Sequence, residues 1–100
     1  MTKTQMMINE MYKGNVQKIM EGIDSNTPIL VLNAIVAGTN RKMTREAFLA
    51  GVERATESDI VLLGVPLKSF AEASLHLLER KKYAGEDPVV IAMIENGLRF

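Results

Sequence analysis

The single histidine, His76, stands four residues after Glu72 and three before Glu79. On a helix those spacings bring three potential ligands to one side. Such a set could hold a cation or relay a proton. A durable metal site needs more ligands, and a general base needs a nucleophile and a pocket. The sequence supplies none of these beside His76. The same residues make an ordinary wet helix face with polar pairs at i,i+3 and i,i+4. A second set, Glu53, Glu57 and Asp59, places three carboxylates within seven residues. Paired carboxylates can share acid and base work. Here Glu53 and Glu57 fall on an outward helix face, and Asp59 reads as a helix cap.

The glycines form no phosphate cradle of the GxGxxG or GxxxxGK[ST] type. There is no cysteine, which removes disulfides, thiolate catalysis and thiolate metal sites together. With one histidine and no thiol, no nucleophile and base pair can be assembled. The sequence therefore reads as non-enzymatic, with no cofactor and no metal.

What remains is charge. Basic residues form two groups, Arg41, Lys42 and Arg45, and Arg80, Lys81 and Lys82 beside Tyr83. These seven residues are the candidate partner-binding set. Joined into one stripe, with Tyr83 stacking on a base, they would suit a nucleic acid. Separately they are helix C-terminal charges and solubilising groups. Lys plus Arg is 12 and Asp plus Glu is 12, so the net charge is zero. A nucleic-acid binder usually carries a basic excess, because phosphate contacts supply most of the affinity. The outward residues after Pro66, namely Lys68, Ser69, Glu72 and His76, are also poor material for reading a major groove.

Five of the seven methionines, Met1, Met6, Met7, Met11 and Met20, lie in the first twenty residues. Met11 and Met20 fall on an inner stripe. Met6 and Met7 offer an apolar seam for a homodimer through the N-terminal helix.

The elements that must carry these groups are helices. Ile8, Met11, Tyr12, Val16, Ile19, Met20 and Ile23 recur at steps of three and four. Gly14 marks a kink or a break, with Asn15 as a second cap, and Gly22 a stop. Asp24-Ser25-Asn26-Thr27 then leads to Pro28 and an apolar segment from Ile29 to Ala37. Its β-branched residues suit a strand. Pro28, Ala34, Ala37 and Gly38 suit a buried helix, which is the reading adopted. Gly38 to Lys42 reads as a loop, and Thr44 as the cap of a helix with Phe48, Leu49, Val52 and Ala55 inward. Ile60-Val61-Leu62-Leu63 reads as one or two helical turns, or a short extension of the previous helix. Pro66 opens a helix that buries Leu67, Phe70, Ala71, Ser74, Leu77 and Leu78. Gly85-Glu86-Asp87-Pro88 repeats the device of cap then proline. It precedes Val89 to Ile94, apolar all round and expected to be a second buried helix. Leu98 and Phe100 fold back onto the body.

The fold class is thus all-α: a compact bundle of five or six short helices, packed antiparallel or in HEAT-like pairs. It forms one domain over residues 1–100. At 47% hydrophobic and 24% charged residues the composition is ordinary for a globular chain. The longest apolar run, Val89 to Ile94, is far below the roughly 20 residues of a membrane span. Met1-Thr2-Lys3-Thr4-Gln5 shows no secretory apolar run. A soluble, cytoplasmic protein is expected.

Between Asn15 and Asn40 the pattern resembles a HEAT or armadillo helical repeat. An amphipathic helix ends near Gly22, a turn spans Asp24 to Thr27, and Pro28 starts an apolar helix. Ile29-Leu30-Val31-Leu32-Asn33-Ala34-Ile35 looks like the buried second helix of such a repeat. The resemblance covers about a quarter of the chain, and the spacing of the rest is irregular. It implies a protein-binding scaffold with no chemistry of its own. The expected function is a non-catalytic helical protein-interaction module. One concrete form is a small bacterial immunity or antitoxin-type protein that blocks a toxin. The alternative is a small regulatory nucleic-acid binder using the two basic groups.

Overall fold

The computed structural model describes residues 1–100. The chain forms six helices and one two-stranded hairpin. They run α1 (Lys3–Tyr12), α2 (Val16–Ile23), α3 (Pro28–Asn40), α4 (Glu46–Ala55), β1 (Val61–Leu62), β2 (Val65–Pro66), α5 (Leu67–Leu77) and α6 (Pro88–Asn96). The radius of gyration, 12.3 Å, matches the roughly 13 Å of a compact chain this long.

Helix α3 is the axis of the packing. Pro28 takes the first helical position, where its missing N–H is not needed. Leu30 and every residue from Leu32 to Thr39 are buried. Helices α1, α2 and α5 all pack against α3. Each buried Leu, Ile or Val contributes about 1.5–3 kcal/mol of transfer free energy, and this helix supplies six of the 21 residues of the hydrophobic core. Gly38 lets the Phe48 ring of α4 lie against the α3 backbone, in space a Cβ would occupy. Gly22 does the same for Met11 and Ala34, which lets α2 close onto its neighbours.

The polar groups inside this packing are matched. The Tyr12 hydroxyl donates to Asn33 Oδ1 at 2.7 Å, and Asn33 Nδ2 donates to the Ile29 carbonyl at 2.8 Å. Thr39 and Ser74, both buried, share a hydroxyl hydrogen bond of 2.6 Å between α3 and α5. No buried side-chain nitrogen or oxygen is left without a partner.

The break at Gly14 is real: Gly14 takes φ +94°, and Asn15 caps α2 by accepting from the Lys18 N–H at 3.2 Å. Several expectations are corrected. Gly22 lies inside α2, which runs to Ile23. Helix α3 continues through Gly38, Thr39 and Asn40, because burial of that turn outweighs the poor propensity of its residues. Arg45, not Thr44, occupies the N-cap of α4, and no side chain caps that end. Met20 and Leu77 are only half-buried.

Two corrections are larger. Ile60 to Leu63 is not helical: Val61–Leu62 pairs antiparallel with Val65–Pro66. A helix through this stretch would drive the Pro66 ring into the carbonyl of Leu62, and the residue before a proline is itself pushed to extended geometry. Leu63 and Gly64 take positive φ (49° and 80°), as a two-residue hairpin loop of type I′ requires. The loop leaves Leu63 89% exposed. The second correction concerns α6, which is not a buried helix. Only Val90 of its nine residues is buried, and Val89, Ile91 and Ala92 face water.

The C-terminal residues do fold back. Leu98 is buried, its carbonyl accepts from Asn40 Nδ2 at 3.1 Å, and Phe100 meets Phe70 edge to face at 5.9 Å.

Candidate functional site

Helices α3 and α5 end in the same way. After α3, the Met43 N–H donates to the Gly38 carbonyl and the Lys42 N–H to that of Thr39. After α5, the Arg80 N–H donates to the Leu75 carbonyl and the Glu79 N–H to that of His76. This is the Schellman arrangement, which needs one residue in the left-handed region and usually takes glycine there. Here that residue is Lys42 (φ 54°) in one case and Glu79 (φ 59°) in the other. A side chain in this region costs about 1 kcal/mol or more at each position.

The two left-handed residues line one cleft. It has a volume of about 330 Å³, and Lys42, Thr44 and Glu79 surround Leu77 and Leu78. A second cleft of about 380 Å³ adjoins it at Glu79 and is lined by His76, Arg80 and Lys82. Lys42 therefore borders the cleft that holds Leu77 and Leu78, while Arg80 and Lys82 border the adjoining one, which has no apolar lining. None of these three cations is in an ion pair; the three pairs in the chain are Lys13–Glu10, Lys18–Glu21 and Arg54–Asp24.

The seven residues singled out from the sequence are thus partly assembled. Lys42 joins the second basic group. Arg41 turns away: its guanidinium lies over Gly14 and donates to the Tyr12 carbonyl at 3.3 Å, which ties α3 to the end of α1. Arg45 is exposed at the start of α4. Arg80, Lys81 and Lys82 lie in the segment after α5 rather than within its last turn. Lys81 borders a small cavity of about 60 Å³ with Thr56, Glu72 and Tyr83.

Tyr83 and His76 are held by the backbone. The Tyr83 N–H donates to His76 Nδ1 at 3.0 Å, which places the imidazole proton on Nε2 in this arrangement. The Tyr83 hydroxyl accepts from the Asp87 N–H at 3.1 Å, and its ring lies against Gly85. This pins the ring to the α5–α6 segment. Nowhere do three histidine or acidic side chains converge as a metal site would require. Glu53, Glu57 and Asp59 are each exposed, and Asp59 caps nothing. No helix is long and apolar enough to cross a membrane.

Three comparisons, with protein-family models, with curated proteins and with solved structures, each found no match.

Glu79, Leu77 and Leu78 belong to the cleft and were missed in the sequence, where they read as one wet and two buried positions of an amphipathic helix. The available signal was an absence. Neither Arg41-Lys42 nor Leu78-Glu79 offers the glycine that a left-handed helix end favours.

Proposed function

We propose that the chain is a non-catalytic protein-interaction module whose contact surface is the pair of clefts around Lys42, Leu77, Leu78, Glu79, Arg80 and Lys82. The observation that carries this reading is the conformation of Lys42 and Glu79. Two charged residues occupy costly left-handed positions side by side. Strain kept at a surface cleft is motivated by what the cleft does, since glycine at either position would relieve it. The chemistry of the surface is compatible with an acidic protein segment that carries an apolar anchor. Lys42, Arg80 and Lys82, none of them in an ion pair, would receive carboxylates, and half-buried Leu77 the anchor. Its concrete version is a small immunity- or antitoxin-type protein that covers a toxin's surface, which asks only for shape and charge. A nucleic acid fits less well: Tyr83 is pinned, and Glu79 interrupts the cations.

The test titrates the protein with an acidic, leucine-containing peptide and with a duplex oligonucleotide of equal charge. The peptide is expected to bind more tightly. Lys42→Gly should weaken it about tenfold while leaving thermal stability unchanged or higher, since glycine relaxes the helix end. Tighter binding of the oligonucleotide, with a steep fall in added salt, would overturn the reading in favour of nucleic acid. Failure to bind the peptide, or equal affinity in Lys42→Gly, would remove the cleft as the contact surface.

A further inference from the structure

The connection from α5 to α6 is longer than the roughly two to eight residues usual in helical bundles, and it is held at few points. Glu79, Arg80 and Lys81 are tied back to α5 by backbone bonds to the His76 and Leu75 carbonyls. From Lys82 to Glu86 a single backbone group is hydrogen-bonded to the body of the chain. It is the Tyr83 N–H, which donates to His76 Nδ1 at 3.0 Å. The next contacts depend on that tether. The Tyr83 ring lies against Gly85, its hydroxyl accepts from the Asp87 N–H at 3.1 Å, and Asp87 caps α6.

A tether on imidazole differs from one on a carbonyl. A carbonyl accepts at any ordinary pH, whereas Nδ1 accepts only while its lone pair is free. His76 is half-buried, so solvent protons reach it. We propose that His76 is a pH-operated latch: the neutral ring holds the α5–α6 connection against the bundle, and the protonated ring lets it go. In this step a solvent proton takes the Nδ1 lone pair that had accepted from Tyr83. Both ring nitrogens then carry hydrogen, and the Tyr83 N–H faces a donor in place of an acceptor. The tether is present at higher pH and is lost as pH falls through the range where histidines titrate.

The charged groups around the ring give the protonated state contacts of its own. On α5, Glu72 lies one turn before His76. In the connection, Glu79, Arg80 and Lys82 line the cleft at His76, and Lys81 borders the small cavity beside Glu72 and Tyr83. Neither α3, α4 nor α6 adds a charged group to the cleft at His76. An imidazolium attracts Glu72 and Glu79, which supply new acceptors. It repels Arg80 and Lys82, which stand on the segment being released. The latch does not depend on the peptide cleft and stands if that reading fails.

Nuclear magnetic resonance on the isotope-labelled chain from about pH 8 to 5 tests it. The His76 Cε1 proton reports the charge on the ring, and hydrogen exchange reports the Tyr83 amide, expressed relative to the unstructured rate at each pH. Protection of Tyr83 should fall about tenfold across the His76 titration, while buried amides of α3 keep theirs. His76→Asn keeps an acceptor near the place of Nδ1 without a titrating ring, and should hold Tyr83 protected throughout. His76→Phe has no acceptor and should leave Tyr83 unprotected throughout, with an unchanged helical circular dichroism signal. A Tyr83 amide that stays protected beside a charged ring would overturn the proposal, as would a ring that stays neutral down to pH 5. So would a pH dependence that survives in His76→Asn, because it would belong to the carboxylates instead.

Discussion

Helices α3 and α6 begin alike and end up in opposite environments. Each has proline at its first position and an apolar run behind it. Helix α3 is enclosed by α1, α2 and α5, while α6 rests on α5. Their start signals differ in the complementary sense. Thr27 makes no side-chain cap bond at the head of α3, whereas Asp87 accepts from the Val89 N–H at 2.9 Å at the head of α6. A helix held by tertiary burial can dispense with its cap. One held on a single side relies on local bonds, because short helices are marginal in water by themselves.

The largest effect should come from opening the enclosed helix. Leu32 has no exposed surface, and Leu32→Ala should cost about 2–5 kcal/mol by chemical denaturation. Ile91→Ala, at a residue 38% exposed, should stay within about 0.5 kcal/mol. Comparable losses in the two variants would break the contrast.

Next comes the buried hydroxyl pair. Thr39→Val leaves the Ser74 hydroxyl buried without a partner and should cost about 1–3 kcal/mol. Adding Ser74→Ala should recover part of the loss. A strictly additive double variant would show that the two hydroxyls do not act as a unit.

Capping sharpens the contrast further. Asp87→Ala should cost about 1 kcal/mol and act locally, lowering amide protection along α6 in hydrogen exchange before that of α3. Thr27→Ala should change stability by no more than a few tenths of a kcal/mol, since there is no cap bond to lose.

The smallest effect is a pH dependence at the rim of α3. Partial burial raises the pKa of Tyr12 above its ordinary value of 10.0. Folding thus favours the neutral phenol, which donates to Asn33. Its contribution is complete below the ordinary value and is lost as pH climbs through the higher folded one. Because Tyr12 is 43% exposed, the effect is small. Melting temperature followed from about pH 8 to 11 should fall less in Tyr12→Phe than in the wild type.

Much of this architecture is legible in the residues. The periodic stripe of the first twenty-three positions, the break at Gly14 and the prolines at the heads of α3 and α6 are local signals with local causes. The hairpin was also written locally, in Gly64 and Pro66, but apolar side chains at Ile60 to Leu63 suit a helix and a strand equally. The candidate site was legible only as charge. That Lys42 meets the Glu79–Lys82 segment while Arg41 turns to Tyr12 depends on how the ends of α3 and α5 lie together. No spacing in the chain encodes that.

By itself, then, the sequence determined the six helices and several of their ends. Those follow from propensity, capping and side-chain chemistry, which act over a few residues. Tertiary structure decided which of two similar apolar helices became the core and which kept a bare face, and which cations share a cleft. Burial and proximity depend on how many neighbours the packing supplies, and that number is a property of the whole chain.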